Sequence, residues 1–132
     1  MNTGQMLALI FAIALFSAIV MSVNYSMLNQ SELVYRGMFI IQGQRIAEKY
    51  FDKMEAELFG NIVEFDDLEV SYPDTTVSVE GINYDLFISA HYSDSLGTDF
   101  PDTTNIQRVD IKIYCSAFTD TIRFDRLIVN IE

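Results

Sequence analysis

The sequence predicts an α+β fold: a long N-terminal helix whose second half packs on a small antiparallel β-sheet. Three observations predict it. Residues 1–31 carry no charged side chain, the first being Glu32. A helical period uninterrupted by proline continues to Leu58. Beyond Asn61 the period shortens to alternation, with turn residues between the runs. The expected division is a helix over 1–60 and an acidic, β-rich head over 61–132.

The apolar segment comes first. Met6 to Val23 reads MLALIFAIALFSAIVMSV, eighteen residues whose only polar members are Ser17 and Ser22. That length crosses most of a bilayer's hydrocarbon core. Ten of the residues are Leu, Ile, Phe or Val, which together favour insertion by roughly 3–6 kcal/mol. A buried soluble helix is the alternative, and it fails on size: the rest of the chain is too small and too polar to wrap this helix on all sides. A cleaved secretory signal would begin with a basic stretch, and Asn2-Thr3 supply none. Membrane insertion, or burial among identical helices, is therefore expected for residues 6–23. Orientation is contested. The nearest base is Arg36, so the positive-inside rule leans towards an outward N-terminus. The acidic head, rich in Ser, Thr and Tyr, reads instead as an exported domain.

Beyond Val23 the helix turns amphipathic. Val34, Met38, Ile41 and Arg45 form one row, and Phe39, Ile46, Tyr50, Met54 and Leu58 follow its neighbour. Glu48, Asp52 and Glu55 stand at pairing distance from Arg45, Lys49 and Lys53. Leu58-Phe59-Gly60-Asn61 is a helix stop. From Met6 to Phe59 a continuous helix measures roughly 80 Å. Gly37 and Gly43 interrupt it, each at a cost of up to about 1 kcal/mol against alanine. Two readings stand for them: a tolerated weak spot or kink, or a functional feature, either a flexible, partly melted section or close packing of helices in an assembly.

In the head, Thr76 to Glu80 and Ile82 to Tyr92 read as strands meeting at Glu80-Gly81. Ile82, Tyr84, Leu86, Ile88, Ala90 and Tyr92 share one face. Gln107 to Ala117 is the next strand, and Thr119-Asp120 a tight turn into Thr121 to Ile131. There the apolar set shifts from Ile122 and Phe124 to Leu127, Val129 and Ile131, which predicts a bulge near Asp125-Arg126. Four strands alone bury too little, so the helix must complete the core. Tyr72-Pro-Asp-Thr-Thr76 and Phe100-Pro-Asp-Thr-Thr104 are two copies of one pattern, read as turn chemistry before a strand.

Charge and composition limit the function. The net charge is −11, and residues 61–132 hold fourteen acids against four bases. That balance repels nucleic acid and anionic lipid, and no nucleic-acid partner is expected. Cys115 is the only cysteine, so no intrachain disulfide forms. Its place in the alternating run Val109 to Cys115 predicts a buried, inert thiol. His91, the only histidine, has no Ser, Cys or carboxylate at a telling spacing. No phosphate loop or dinucleotide fingerprint is present. Neither an enzyme nor a cofactor is expected. Asp94, Asp99 and Asp102 around Gly97 are a weak candidate for Ca²⁺, matching no EF-hand spacing. Asn24-Tyr-Ser26 and Asn29-Gln-Ser31 fit the glycosylation pattern, but at the membrane edge are read as coincidence.

This layout resembles type IV pilins and the pseudopilins of type II secretion. Two stretches carry the likeness in sequence. One is the start Thr3-Gly4-Gln5-Met-Leu-Ala-Leu; the other is the tail Asn105 to Ile113 with Asp120 to Ile128. The resemblance implies a structural subunit that sits in the cell-envelope membrane and then polymerises into an extracellular surface filament. Its partners would be identical subunits and an assembly machinery. Gly4 and Gln5 would flank the processing site. Leu7, Leu9, Ile10, Ile13, Phe16, Ile19, Val20 and Val23 would pack helix against helix. The family's glutamate five residues into the mature helix has no counterpart: counted from Gln5 the place holds Leu9, and counted from Met1 it holds Gln5. The resemblance leaves a second role open, that of a non-polymerising membrane adaptor or minor pseudopilin.

Overall fold

A computed structural model describes residues 2–117 and 121–130 of the chain. Helix α1 spans Thr3–Phe59, followed by a 3-10 turn, Phe65–Asp67, and a one-turn helix α2, Leu68–Ser71. Strands β1 (Thr75–Val79), β2 (Ile82–Tyr92), β3 (Ile106–Cys115) and β4 (Ile122–Val129) form one antiparallel sheet in the order β1-β2-β3-β4. The expected α+β architecture is therefore present, with the second half of α1 packed on the sheet. Two compact units divide the chain, Met1–Met38 and Phe39–Glu132. The boundary expected at residue 60 is one of secondary structure, and α1 does end at Phe59.

The helix ends in a Schellman arrangement. Ile62 N–H donates to the Glu57 carbonyl at 2.9 Å and Asn61 N–H to that of Leu58 at 3.0 Å. The left-handed residue is Asn61, with φ 52°. Asparagine tolerates that conformation better than other side chains do. The following 3-10 turn and α2 were not anticipated, because seven residues carry too few repeats to display a period. Leu68 from α2 is buried, and Gln107 Nε2 donates to the Phe65 carbonyl at 3.0 Å. These contacts hold the connection against the sheet.

The core lies between α1 and one sheet face. Ile46, Ala47, Phe51 and Met54 meet Tyr84, Leu86, Ile88, Val109, Ile111, Ile113, Cys115 and Ile128. The helical row that packs thus includes Gly43, Ala47 and Phe51 as well as the expected Ile46 and Met54. The other expected row, Val34, Met38 and Ile41, is exposed. At Gly43 an added Cβ would lie 3.9 Å from Ile113 and Ile122. That glycine sits at the helix–sheet contact. At Gly37 nothing lies within 4 Å.

β1 and β2 meet at Glu80-Gly81 as expected. Val79 pairs with Ile82, and both turn residues have positive φ, 52° and 83°. A two-residue loop of this kind matches the twist of its flanking strands. The bulge expected near Asp125-Arg126 is absent. Pairing runs without interruption from Ile106↔Val129 to Ile113↔Ile122. The even-numbered residues Ile122, Phe124, Arg126 and Ile128 keep one face, and Leu127 and Val129 lie on the other. The apolar shift that suggested a bulge has another cause: a base, Arg126, occupies a core-side position, and Leu127 and Val129 are exposed on the other face. The turn expected at Thr119-Asp120 and the inward place given to Ile131 lie outside the described residues.

Candidate membrane and assembly surface

The first turn of α1 is capped from within. Asn2 O accepts from Gln5 N at 2.9 Å, and the Gln5 amide oxygen accepts from Asn2 N at 3.4 Å. Glutamine three residues past the cap returns a hydrogen bond in this way, satisfying an N–H that the helix leaves unpaired. Gly4, the processing candidate, lies inside this turn.

From there the helix is long and apolar enough to cross a membrane, and none of its eighteen-residue apolar window is buried. Leu7, Leu9, Ile10, Ile13, Phe16, Ile19, Val20 and Val23 are all exposed, Phe16 at 70%. They are distributed round the helix. A helix apolar on all sides is stable only inside a bilayer or surrounded by other helices. Its backbone groups are paired along its own length, which is what permits such an environment. Exposed apolar side chains continue past the segment expected to span, through Tyr25, Met27, Leu28, Leu33, Val34 and Tyr35.

Among its described residues the head offers no comparable apolar surface, but it does hold organised charge. Asp110 on β3 is buried, although it lies on the face opposite Val109 and Ile111. Arg123 reaches its carboxylate with Nε at 3.0 Å and Nη2 at 2.7 Å, and Arg108 Nε approaches at 3.3 Å. Arg108 also donates to the Gly97 carbonyl at 2.7 Å and pairs with Asp99 at 2.7 Å. The loop 93–105 is pinned to the outer sheet face in this way. Gly97, at φ 79°, lies close enough for Leu127 to be 3.6 Å from an added Cβ.

This geometry engages two of the three calcium candidates otherwise. Asp94 Oδ1 accepts from Leu96 N and Thr98 N, both at 2.9 Å, and so organises its own turn. Asp99 pairs with Arg108. Among the described residues no group of three His, Cys, Asp or Glu side chains is gathered for a metal. His91 is exposed on the outer face, opposite Arg108, and Cys115 is fully buried.

Three tyrosine hydroxyls tie the head together. Tyr72 donates to Glu57 and Tyr84 to Gln42, both partners on α1. Tyr92 donates to Asp66 at 2.7 Å. Burial, with the Glu57 carboxylate second, pushes the Tyr72 hydroxyl well above its ordinary pKa. Burial does the same at Tyr84, and at Tyr92 the bond to Asp66 is the main cause. Sequence pattern alone did not reveal these clasps or the Asp110 cluster. An aspartate within an apolar strand was the available signal.

A groove of about 900 Å³ lies between the end of α1, residues 61–66 and the end of β4. Leu58, Val63 and Phe65 line it with Glu55, Glu64 and Asp66, and among the described residues no Ser, Thr, Cys, Lys or His lines it.

Fold and surface together define a class: an α+β protein with one N-terminal helix compatible with membrane insertion. No protein-family model matches the chain, and no curated protein or solved structure matches it either.

Proposed function

We propose that the chain is a structural subunit of a pilus-like surface filament. It is held in the cell-envelope membrane through residues 6–23 and polymerises through the same helix after leaving the bilayer. One observation carries the reading: the first half of α1 is apolar and uncovered on all sides, whereas the second half is docked on a sheet. Packing against identical helices removes those side chains from water, at about 25 cal/mol for each Å² of apolar surface. The acidic head then forms the outside of the fibre. The role is structural rather than catalytic, and its partners are identical subunits and an assembly machinery.

A second reading has its own support. The filament families use a carboxylate near the helix start to pair with a neighbouring subunit's terminal amine. Here Gln5 is neutral, and its amide oxygen accepts from Asn2 N. A single-pass adaptor or minor pseudopilin has no need of that carboxylate.

Electron microscopy of sheared cell fractions, joined to N-terminal mass spectrometry, separates the readings. A filament subunit yields fibres that a charged residue at Leu9, Ile13 or Phe16 abolishes. Unaltered fibres in those variants refute the assembly role of α1. Absence of fibres, with monomers or small complexes in detergent, favours the adaptor.

A further inference from the structure

Within the unit Phe39–Glu132, the side of α1 turned away from the sheet carries a row with two unpaired bases. Ile46, Ala47 and Phe51 pack on the sheet, whereas Ile41, Arg45 and Lys49 are exposed. These three recur every fourth residue, so they stand one above the other on the helix. The acids at pairing distance from the two bases are engaged elsewhere. Glu48 accepts from Gln44 Nε2 at 2.9 Å, and Asp52 and Glu55 both reach across to Arg126 on β4. Arg45 and Lys49 are left without an ion pair among the described residues.

The groove at the end of α1 has the opposite charge. Of its three lining acids, only Glu55 meets a base, Arg126. Asp66 accepts from the neutral Tyr92 hydroxyl, and Glu64 makes no ion pair among the described residues. Leu58, Val63 and Phe65 supply the apolar part of the lining. Long basic side chains suit such a surface, because their stems cover apolar atoms while their charged ends reach the rim. From Lys49 to Phe59, at the edge of the groove, is about 15 Å along the helix. A chain therefore cannot lay its own row in its own groove.

We propose that the row Ile41, Arg45 and Lys49 of one copy lies in the acidic groove of a second copy of this chain. Arg45 and Lys49 then meet Glu64 and Asp66. The occupant is a second copy because each chain carries both halves of the match, bases without acids and acids without bases. The contact joins two different surfaces, so each copy keeps one of them open for the next. Repetition extends such an assembly instead of closing it as a two-fold dimer does. The contact deepens the filament reading, on which its place between subunits rests, by joining the heads as well as the apolar helices.

The test uses the full chain in detergent micelles, with mass by sedimentation and disulfide trapping between chains that each carry one added cysteine. Fully buried Cys115 serves as the unreactive background. Lys49→Cys in one chain should trap Glu64→Cys in another at least about fivefold more than either traps its own kind. Arg45→Glu with Lys49→Glu should weaken association at least about tenfold. Glu64→Lys with Asp66→Asn, which keeps an acceptor for Tyr92, should weaken it by about as much. Mixing these two variants should restore association, since the reversed row of one then meets the altered groove of the other. A mixture that stays dissociated, association unchanged in both variants, equal trapping of like positions, or a single-chain mass at every concentration overturns the contact. Fibres formed unchanged by both variants would sink the contact and leave the filament reading standing. Trapping of unlike positions in a chain that yields no fibres would do the reverse.

Discussion

The guanidinium carbon of Arg126 lies 4.9 Å from the centre of the Phe51 ring, on the face of the sheet that meets α1. The same group approaches Asp52 at 3.0 Å and Glu55 at 3.4 Å. A base at a core-side position is tolerated here because its stem and flat face cover an aromatic ring while its charge reaches the acidic rim. The two carboxylates are largely exposed, so the ion pairs themselves contribute little.

Arg126→Ala should therefore cost the head about 1–2 kcal/mol, mostly through the lost aromatic contact and stem. Arg126→Lys should recover only part of this. Denaturant unfolding of the full chain in detergent measures both. A loss that vanishes in high salt would contradict the packing account, because salt screens exposed pairs and leaves the ring contact intact.

Asp110 gives the opposite kind of site. It is buried, and its carboxylate joins Arg108 and Arg123. Asp110→Ala should destabilise the head by about 2–3 kcal/mol, since it leaves the partly covered Arg108 without one of its carboxylates. The loop 93–105 should also loosen, giving faster amide exchange at Gly97 and Thr98. Wild-type exchange rates there would show that Asp110 does not hold the loop.

Stability should fall at alkaline pH. Tyr72, Tyr84 and Tyr92 all have folded-state pKa values raised above the ordinary value of 10.0. A group raised in the folded state contributes fully below its unfolded pKa, and that contribution is lost as pH rises through the folded pKa. The denaturation midpoint should thus hold up to about pH 10 and decline above it. Tyr72→Phe should cost about 1 kcal/mol at neutral pH and make the alkaline decline shallower. An alkaline limb identical in Tyr72→Phe and wild type would assign the decline elsewhere.

Gly43 admits a side chain of one carbon. An added Cβ meets Ile113 and Ile122 at 3.9 Å, ordinary contact distance. Gly43→Ala should raise stability by about 0.5–1 kcal/mol through helix propensity alone. Gly43→Leu should lower it by overfilling the helix–sheet contact. Thermal melts of the two variants check the pair, and a destabilising alanine would mean the helix needs glycine's freedom there.

The sequence by itself determined much of this protein. Local signals sufficed for an uncharged apolar stretch over residues 6–23, the helix end at Phe59, and a hairpin turning at Glu80-Gly81. Each depends on neighbours within one or two turns of chain: charge-free periodicity, an asparagine that accepts positive φ, a glycine beside it. The tertiary structure decided what distant residues do to one another. Arg126 looked like a break in the apolar pattern, and the expected bulge followed from treating apolarity as the only criterion for facing the core. Continuous pairing from Ile106↔Val129 to Ile113↔Ile122 rules that bulge out. Asp110 is buried because Arg123, thirteen residues away, folds over it. Asp94 and Asp99 formed a loop cluster in sequence, yet one organises its own turn and the other pairs with Arg108. A side chain's partner across a sheet depends on register, and register is set by the whole sheet against the helix.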